Sequence, residues 1–256
     1  MRARILLAVF SLGLLTGCSH HKQARVSIPP PPAAAETQSP PEKSQPETNA
    51  AKPPATPADR ESAGDEPALP ANATPLLTET GRASWYGAPY HNRRSSNGEV
   101  YNMHAMTAAH RTLPLGTIVR VTNLKTGHVA VVRITDRGPF VGGRILDVSY
   151  AAAKRLDIYQ PGTANVKLEV MQTPASLTAG GRWAVQIGSF ESQKDASNLA
   201  DHLVRRYQTA KVAKFASPVG DWWVRVRVLN DDRKRAEDLA HETETSKGSV
   251  YLVRLD

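Results

Sequence analysis

The chain of 256 residues has a single cysteine, Cys18, so no internal disulfide can form and each folded region must stand on its own apolar core. It also lacks an N-terminal apolar run long enough to cross a bilayer. Ile5 to Leu15 spans 11 residues, the length of a signal h-region. No aromatic residue lies between Cys18 and Ser84, while 13 of the 19 prolines do. Such a stretch cannot bury enough surface to offset backbone ordering, so residues 18–78 are expected to be a disordered Pro/Ala-rich linker. His91, His104 and His110 show no paired zinc spacing, so no metal and no cofactor are expected.

What is present at the start is a leader. Arg2 and Arg4 precede the apolar run, and Leu15-Thr16-Gly17-Cys18 ends it. This resembles a bacterial lipobox, which implies a signal peptide at 1–17, acylation of Cys18 and a membrane anchor built from buried methylenes. Ser19 stands where an aspartate would retain a lipoprotein in the inner membrane, so an outer-membrane protein facing the periplasm is expected. The linker, extended through Pro29-Pro30-Pro31-Pro32, has a limiting reach of about 180 Å. Formal net charge is +8, concentrated in residues 79–181, which hold 12 basic and 6 acidic residues. A basic surface suits nucleic acid, anionic lipid or anionic polysaccharide; export argues against nucleic acid.

From 79 to 173 the pattern turns to short β-runs. Arg82 to Tyr86, Thr117 to Asn123, Val129 to Ile134, Ile145 to Val148 and Val166 to Met171 read as strands. Ser149 can cap a short helix through Leu156. Many short strands with one small helix predict a compact β-barrel. Asp136 ends an apolar strand before a Gly-Pro turn, which places its carboxyl at the barrel rim. Glu99 follows an Asn-Gly turn signal. Two loop carboxyls suit acid/base cleavage of a glycoside, and spacing alone leaves each open as a solvated or capping carboxylate.

The motifs are more specific. Ala83-Ser84-Trp85-Tyr86-Gly87, Ser96-Asn97-Gly98-Glu99, Thr107-Ala108-Ala109-His110, Thr135-Asp136-Arg137-Gly138-Pro139-Phe140 and Asp147-Val148-Ser149 follow one another in order. The set resembles the rare lipoprotein A (RlpA) family, whose core is a double-psi β-barrel. That resemblance implies an endolytic lytic transglycosylase acting on peptidoglycan strands stripped of stem peptides, leaving 1,6-anhydro-muramic ends. It maps the catalytic acids onto Asp136, as acid then base, and Glu99, as the group that positions the sugar. It suggests that His110 bonds substrate or orients Asp136, a backbone-tied histidine being the alternative. Tyr86 is expected to stack on a sugar and Trp85 to fill the core. Arg137 is expected to reach a muramic lactyl carboxylate or to pair with Asp147. The sequence departs from the family pattern at Asn92, where glycine is common, and at Asn102, where aspartate is common.

Residues 180–256 read as βαββαβ, a ferredoxin-like split arrangement. Trp183, Val185 and Ile187 alternate on one strand, Val224 and Val226 on another, and helices follow around Leu199 and Leu239. The opposite sheet face carries Gln186, Trp223, Arg225 and Arg227. Trp183-Ala184-Val185-Gln186-Ile187-Gly188-Ser189-Phe190 resembles the SPOR domain, which implies binding to denuded septal glycan through Gln186, Trp223 and Arg225. A septum-directed enzyme whose chemistry survives loss of 180–256 is therefore expected, with protein partners of the division site left open. Two alternatives remain: a non-catalytic, expansin-like wall-binding lipoprotein, and a peptidoglycan hydrolase.

Overall fold

The computed structural model describes residues 66–70, 72–207, 211–243, 245 and 248–256. Cys18, the leader and most of the expected linker lie outside the described residues. Six strands, β1 (Leu77–Tyr86), β2 (Thr107–His110), β3 (Ile118–Asn123), β4 (Val129–Asp136), β5 (Arg144–Ser149) and β6 (Thr163–Gln172), close a barrel in the order β1-β5-β2-β4-β3-β6. The β1–β5 and β2–β4 pairs are parallel and the others antiparallel. Closure leaves no free edge. Period-two alternation then fills the interior: Val119, Val121, Ala130, Val132, Ile134, Val166, Leu168 and Val170 are all fully buried. Helix α1 (Tyr150–Arg155) adds Ala152 and Ala153 to this core, with the Ser149 hydroxyl accepting from Ala152 N at 3.2 Å.

Two elements differ from the sequence expectation. Strand β1 starts at Leu77, five residues before Arg82 and two residues inside the stretch read as linker. Strand β2 was not expected as a strand at all. It is four residues long and buried throughout, so it shows no alternation of polar and apolar positions to read.

The second unit of structure is an antiparallel four-stranded sheet in the order β10-β7-β9-β8, made of β7 (Trp183–Phe190), β8 (Lys211–Ala216), β9 (Trp222–Arg227) and β10 (Ser249–Arg254). Helices α2 (Gln193–Arg206) and α3 (Arg233–Glu242) cover its Val185, Ile187, Val224 and Val226 face. Ser192 and Asp232 cap the two helices as their spacing demands. The βαββαβ order is as expected, and the described residues are mixed α/β with sheet predominating.

Candidate active site

The decisive local feature is a β-bulge. In the β2–β4 ladder Ala108 pairs with Ile134, but Ala109 pairs with Asp136, so Thr135 is an extra residue on β4. Continued alternation from Ala130, Val132 and Ile134 would point the side chain of Asp136 into the apolar core. The bulge turns it to the other side, the re-aiming for which bulges are known. On the opposite edge of β2, Ala109 pairs with Asp147 of β5. The two aspartates therefore flank one alanine on one face of the barrel. Two interstrand spacings separate their Cα atoms by about 10 Å.

Both aspartates and Ala109 line a cavity of about 450 Å³. Asp136 Oδ1 accepts three hydrogen bonds: from Ser96 Oγ at 2.5 Å, Ser96 N at 3.0 Å and Arg137 N at 2.8 Å. These fix the carboxyl, and Oδ2 has no hydrogen-bond partner among the described residues. Asp147 is held differently. Its side chain is 15 % exposed, Oδ2 lies 3.3 Å from Arg144 Nη2, and buried Oδ1 has no hydrogen-bond partner among the described residues. Burial pushes its carboxyl up to about 6, outweighing the opposing pull of Arg144 and Arg111. One aspartate is thus an organised acceptor, and the other keeps its proton to a higher pH than an ordinary aspartate.

Aromatic rings form one wall. Tyr86 stacks on Tyr101 with centroids 4.4 Å apart and meets Tyr90 edge-on at 5.8 Å. Burial drives the Tyr86 hydroxyl well above its ordinary range. Trp85 instead packs against the core and Tyr159. The loop before β2 delivers Ser96: Ser95 N donates to Glu99 O at 2.8 Å, Tyr101 N to Arg93 O at 2.7 Å, and Asn97 N to Thr135 O at 3.1 Å. Asn92 takes φ 61° in this loop, which explains the glycine common at that position, and Asn102 Oδ1 caps His104 N at 2.9 Å.

Three residues expected to act on substrate are engaged by the protein itself, and of these only Arg137 borders the cavity. The Glu99 carboxylate is gripped by Arg133 Nη1 and Nη2 at 2.9 and 2.8 Å, is 54 % exposed, and does not line the cavity with Asp136. The Arg133 hydrogen bonds hold its pKa below the ordinary carboxylate value. His110 is 5 % exposed and outside the cavity; its Nδ1 accepts from Thr112 N and Leu113 N, and Nε2 lies 3.4 Å from Glu79. With Nδ1 used as acceptor, the proton sits on Nε2, and the ring locks a turn. Arg137 is buried, donates to His110 O, Leu113 O and Asp256 O at 3.0, 2.6 and 2.6 Å, and is pushed down to about 10 by burial. It braces the Asp136 turn and has no pair with Asp147.

The cavity's far wall comes from the second domain. Gln186, Trp223, Arg225 and Asp221 line it, and Phe140 of the barrel packs on Trp223 with centroids 5.2 Å apart. The sheet face expected to stand open is turned onto the barrel. Residues of β10 and beyond hold it there: Arg254 N donates to Arg111 O and Leu115 N to Asp256 O, both at 3.0 Å. Asp147, Ser96 and Ala109 were not singled out from sequence as site residues. Asp147 did carry a signal: it is the polar position between two fully buried residues, Leu146 and Val148, in one of the quoted motifs. Among the described residues no group of three or more His, Cys, Asp or Glu is placed to hold a metal ion.

Residues 78–168 match the family model described as lytic transglycolase, and residues 179–254 match the SPOR domain model. The barrel and the sheet described above are those two matched stretches. Among curated relatives, a Vibrio cholerae protein named endolytic peptidoglycan transglycosylase RlpA is 45 % identical over 134 residues, 50 % of this chain and 51 % of the relative. A Neisseria meningitidis serogroup B protein of the same name is 55 % identical over 140 residues, 54 % of this chain and 59 % of the relative. A Campylobacter jejuni protein of that name is 40 % identical over 156 residues, 52 % and 55 % of the two chains. The chain spans about half the length of the curated relatives it matches, and over that span it is similar to proteins named endolytic peptidoglycan transglycosylase.

Proposed function

We propose that the protein is an endolytic lytic transglycosylase that cuts peptidoglycan strands between muramic acid and glucosamine, with Asp147 and Asp136 as its acid and base. The observation that carries this reading is the pairing of both aspartates with Ala109 on the floor of one cavity. The Asp147 carboxyl donates its proton to the glycosidic oxygen, and the bond from muramic C1 to that oxygen breaks. The muramic C6 hydroxyl gives its proton to Asp136 Oδ2, and its oxygen closes on C1. The products are a 1,6-anhydro end and a free 4-hydroxyl on glucosamine, with no water consumed. A proton returned from Asp136 to Asp147 through solvent restores the site. The bonds to Oδ1 keep the Asp136 carboxyl in place, and the tyrosine wall holds the sugar while the C6 oxygen closes, through an oxocarbenium-like state, on the same face of C1 that the glycosidic oxygen leaves.

This reading moves the second catalytic carboxyl from Glu99 to Asp147. Glu99 keeps a positioning part, since its main-chain oxygen and its grip on Arg133 hold the loop that presents Ser96. The anchored state extends the proposal: acylation at Cys18 would tether the enzyme to the outer membrane, and the SPOR domain would gather it at the division septum. Mass spectrometry of material released from sacculi stripped of stem peptides tests the chemistry. Anhydro ends are the expected product. Reducing ends one water heavier would make it a hydrolase, and sacculus binding without release would make it a wall-gripping protein. Loss of radiolabelled palmitate in a Cys18→Ser variant tests the anchor.

A further inference from the structure

We propose that the barrel masks the sheet face of the C-terminal domain, so that the docked molecule is an autoinhibited form and that domain must lift off the barrel before it can hold the wall. The inference concerns regulation, and it rests on the proposed role of this domain in gathering the protein on the wall. The observation that carries it is burial. Tyr251, Gln186 and Arg225 form one row across β10, β7 and β9, with Trp223 beside them on the same face. A free sheet would hold this row at its surface. In the docked molecule Gln186 is 1 % exposed and Trp223 7 %. Phe140 of the barrel lies against Trp223 and Tyr251, with centroids 5.2 and 5.7 Å apart, and Arg111 stacks on the Tyr251 ring at 5.6 Å. A sugar that stacks on an aromatic ring needs a free ring face, and these rings are covered.

The contact is built as a latch. Its seat on the barrel is the turn 110–115, pinned by the His110 ring and by Arg137 Nη1 on the oxygens of His110 and Leu113. The strap is the end of β10 and the residues after it. Arg137 Nη2 donates to Asp256 O at 2.6 Å, Leu115 N donates to the same oxygen and Arg254 N to Arg111 O. The strap is tied to its own domain by Arg182 N on Asp256 Oδ1 at 2.7 Å. Nothing in this contact is a shared core: the apolar clusters of barrel and sheet have no residue in common. Separation therefore leaves both cores whole, and domains joined this way move relative to one another. The joint between them carries Gly180 and Gly181 at φ 66° and 86°, a backbone suited to a pivot.

Two consequences follow from the equilibrium between docked and lifted forms. Affinity of the sheet for the wall is reduced by the fraction of molecules that are lifted, so weakening the latch tightens binding without any new contact. By reciprocity, a strand held by the sheet favours the lifted form. Lifting also parts the two walls of the cavity over Asp136 and Asp147 and releases Asp256 from Arg137, the residue next to Asp136. Wall binding and access to the aspartates are thereby coupled through one contact.

The test uses the full chain with Cys18→Ser, which removes its single cysteine, together with Val141→Cys and Val219→Cys. Both valines are exposed, and they border the cavity from the barrel and from the β8–β9 turn. Spin labels at the two thiols should report one short separation without strands and a longer one with saturating soluble stripped strands. Joining the thiols with a short bismaleimide should weaken pelleting with stripped sacculi about tenfold or more, while the same reagent on either thiol alone leaves it unchanged. Phe140→Ala, added to the labelled chain, should lengthen the separation without strands and bind sacculi about threefold or more tighter. Linked protein that pellets like the unlinked form overturns the proposal. So does a Phe140→Ala protein of unchanged melting temperature that binds no tighter. Strands that bind without parting the labels defeat the masking alone. Labels parted by Phe140→Ala in a protein that pellets with no sacculi defeat the wall-binding role of the sheet, and the masking with it.

Discussion

The barrel and the C-terminal sheet put polar side chains on the same cavity by opposite means. In the C-terminal sheet plain alternation suffices: Gln186 and Arg225 are directly paired between antiparallel neighbours, opposite the valines that meet the helices. In the barrel the two aspartates come from β4 and β5, separated by β2, and one of them reaches the cavity only through a bulge. The arginines differ as well. Arg137 of the barrel is satisfied by three carbonyl oxygens, whereas among the described residues Arg225 of the sheet keeps an uncommitted nitrogen and no counter-ion. On the proposed reading, the barrel supplies the chemistry and the sheet the recognition.

The sharpest way to break this division is to remove the chemistry. Asp136→Asn and Asp147→Asn should each lower release of anhydro ends by about 10²–10⁴-fold, with melting temperatures close to wild type. Equal activity in either variant would take that aspartate out of the mechanism. Next is the brace. Arg137→Met leaves the oxygens of His110, Leu113 and Asp256 without their donor, and should cost about 2–4 kcal/mol in urea unfolding.

The pH profile sharpens the roles of the two acids. The folded pKa of Asp147, about 6, lies above that of an unfolded aspartate. Its proton is therefore in place below about pH 6, and activity should fall about tenfold per unit above it. The residual activity of Asp147→Asn should lack this limb. The same sign holds for stability: the contribution of this group is full below the unfolded pKa and is lost as pH rises through about 6. The smallest effect is expected at Glu99. Its ion pair with Arg133 is solvent-exposed, so Glu99→Gln should change stability by less than about 1 kcal/mol and activity by about tenfold or less. A loss as large as that of Asp136→Asn would return Glu99 to the chemistry.

Removal of residues 180–256 bears on both halves at once. The sequence alone suggests that chemistry survives the deletion. The structure gives the sheet one wall of the cavity and ties Asp256 to Arg137, so the truncated barrel should lose affinity for stripped strands even where the aspartates are intact. Unchanged KM in the truncated protein would make the two domains independent.

Local pattern by itself determined much here. Alternating apolar positions announced β3, β7 and β9, a continuous apolar run announced β4, and Ser149 caps the helix read to follow it, because such signals act over a few residues. The motif around Asp136 likewise pointed to a rim carboxyl, and Asp136 lines the cavity. Tertiary structure decided the rest. Whether Glu99 met Asp136 or Arg133 depended on which outer face of β4 its loop crossed, a pairing 34 residues apart in sequence. Whether Asp147 belonged to the site depended on β2, a strand without alternation, standing between it and Asp136. The fate of the Trp223 and Arg225 face depended on a domain contact made by residues 251–256. Pairings of that kind are set by chain closure and packing between distant segments, and no short stretch of sequence contains them.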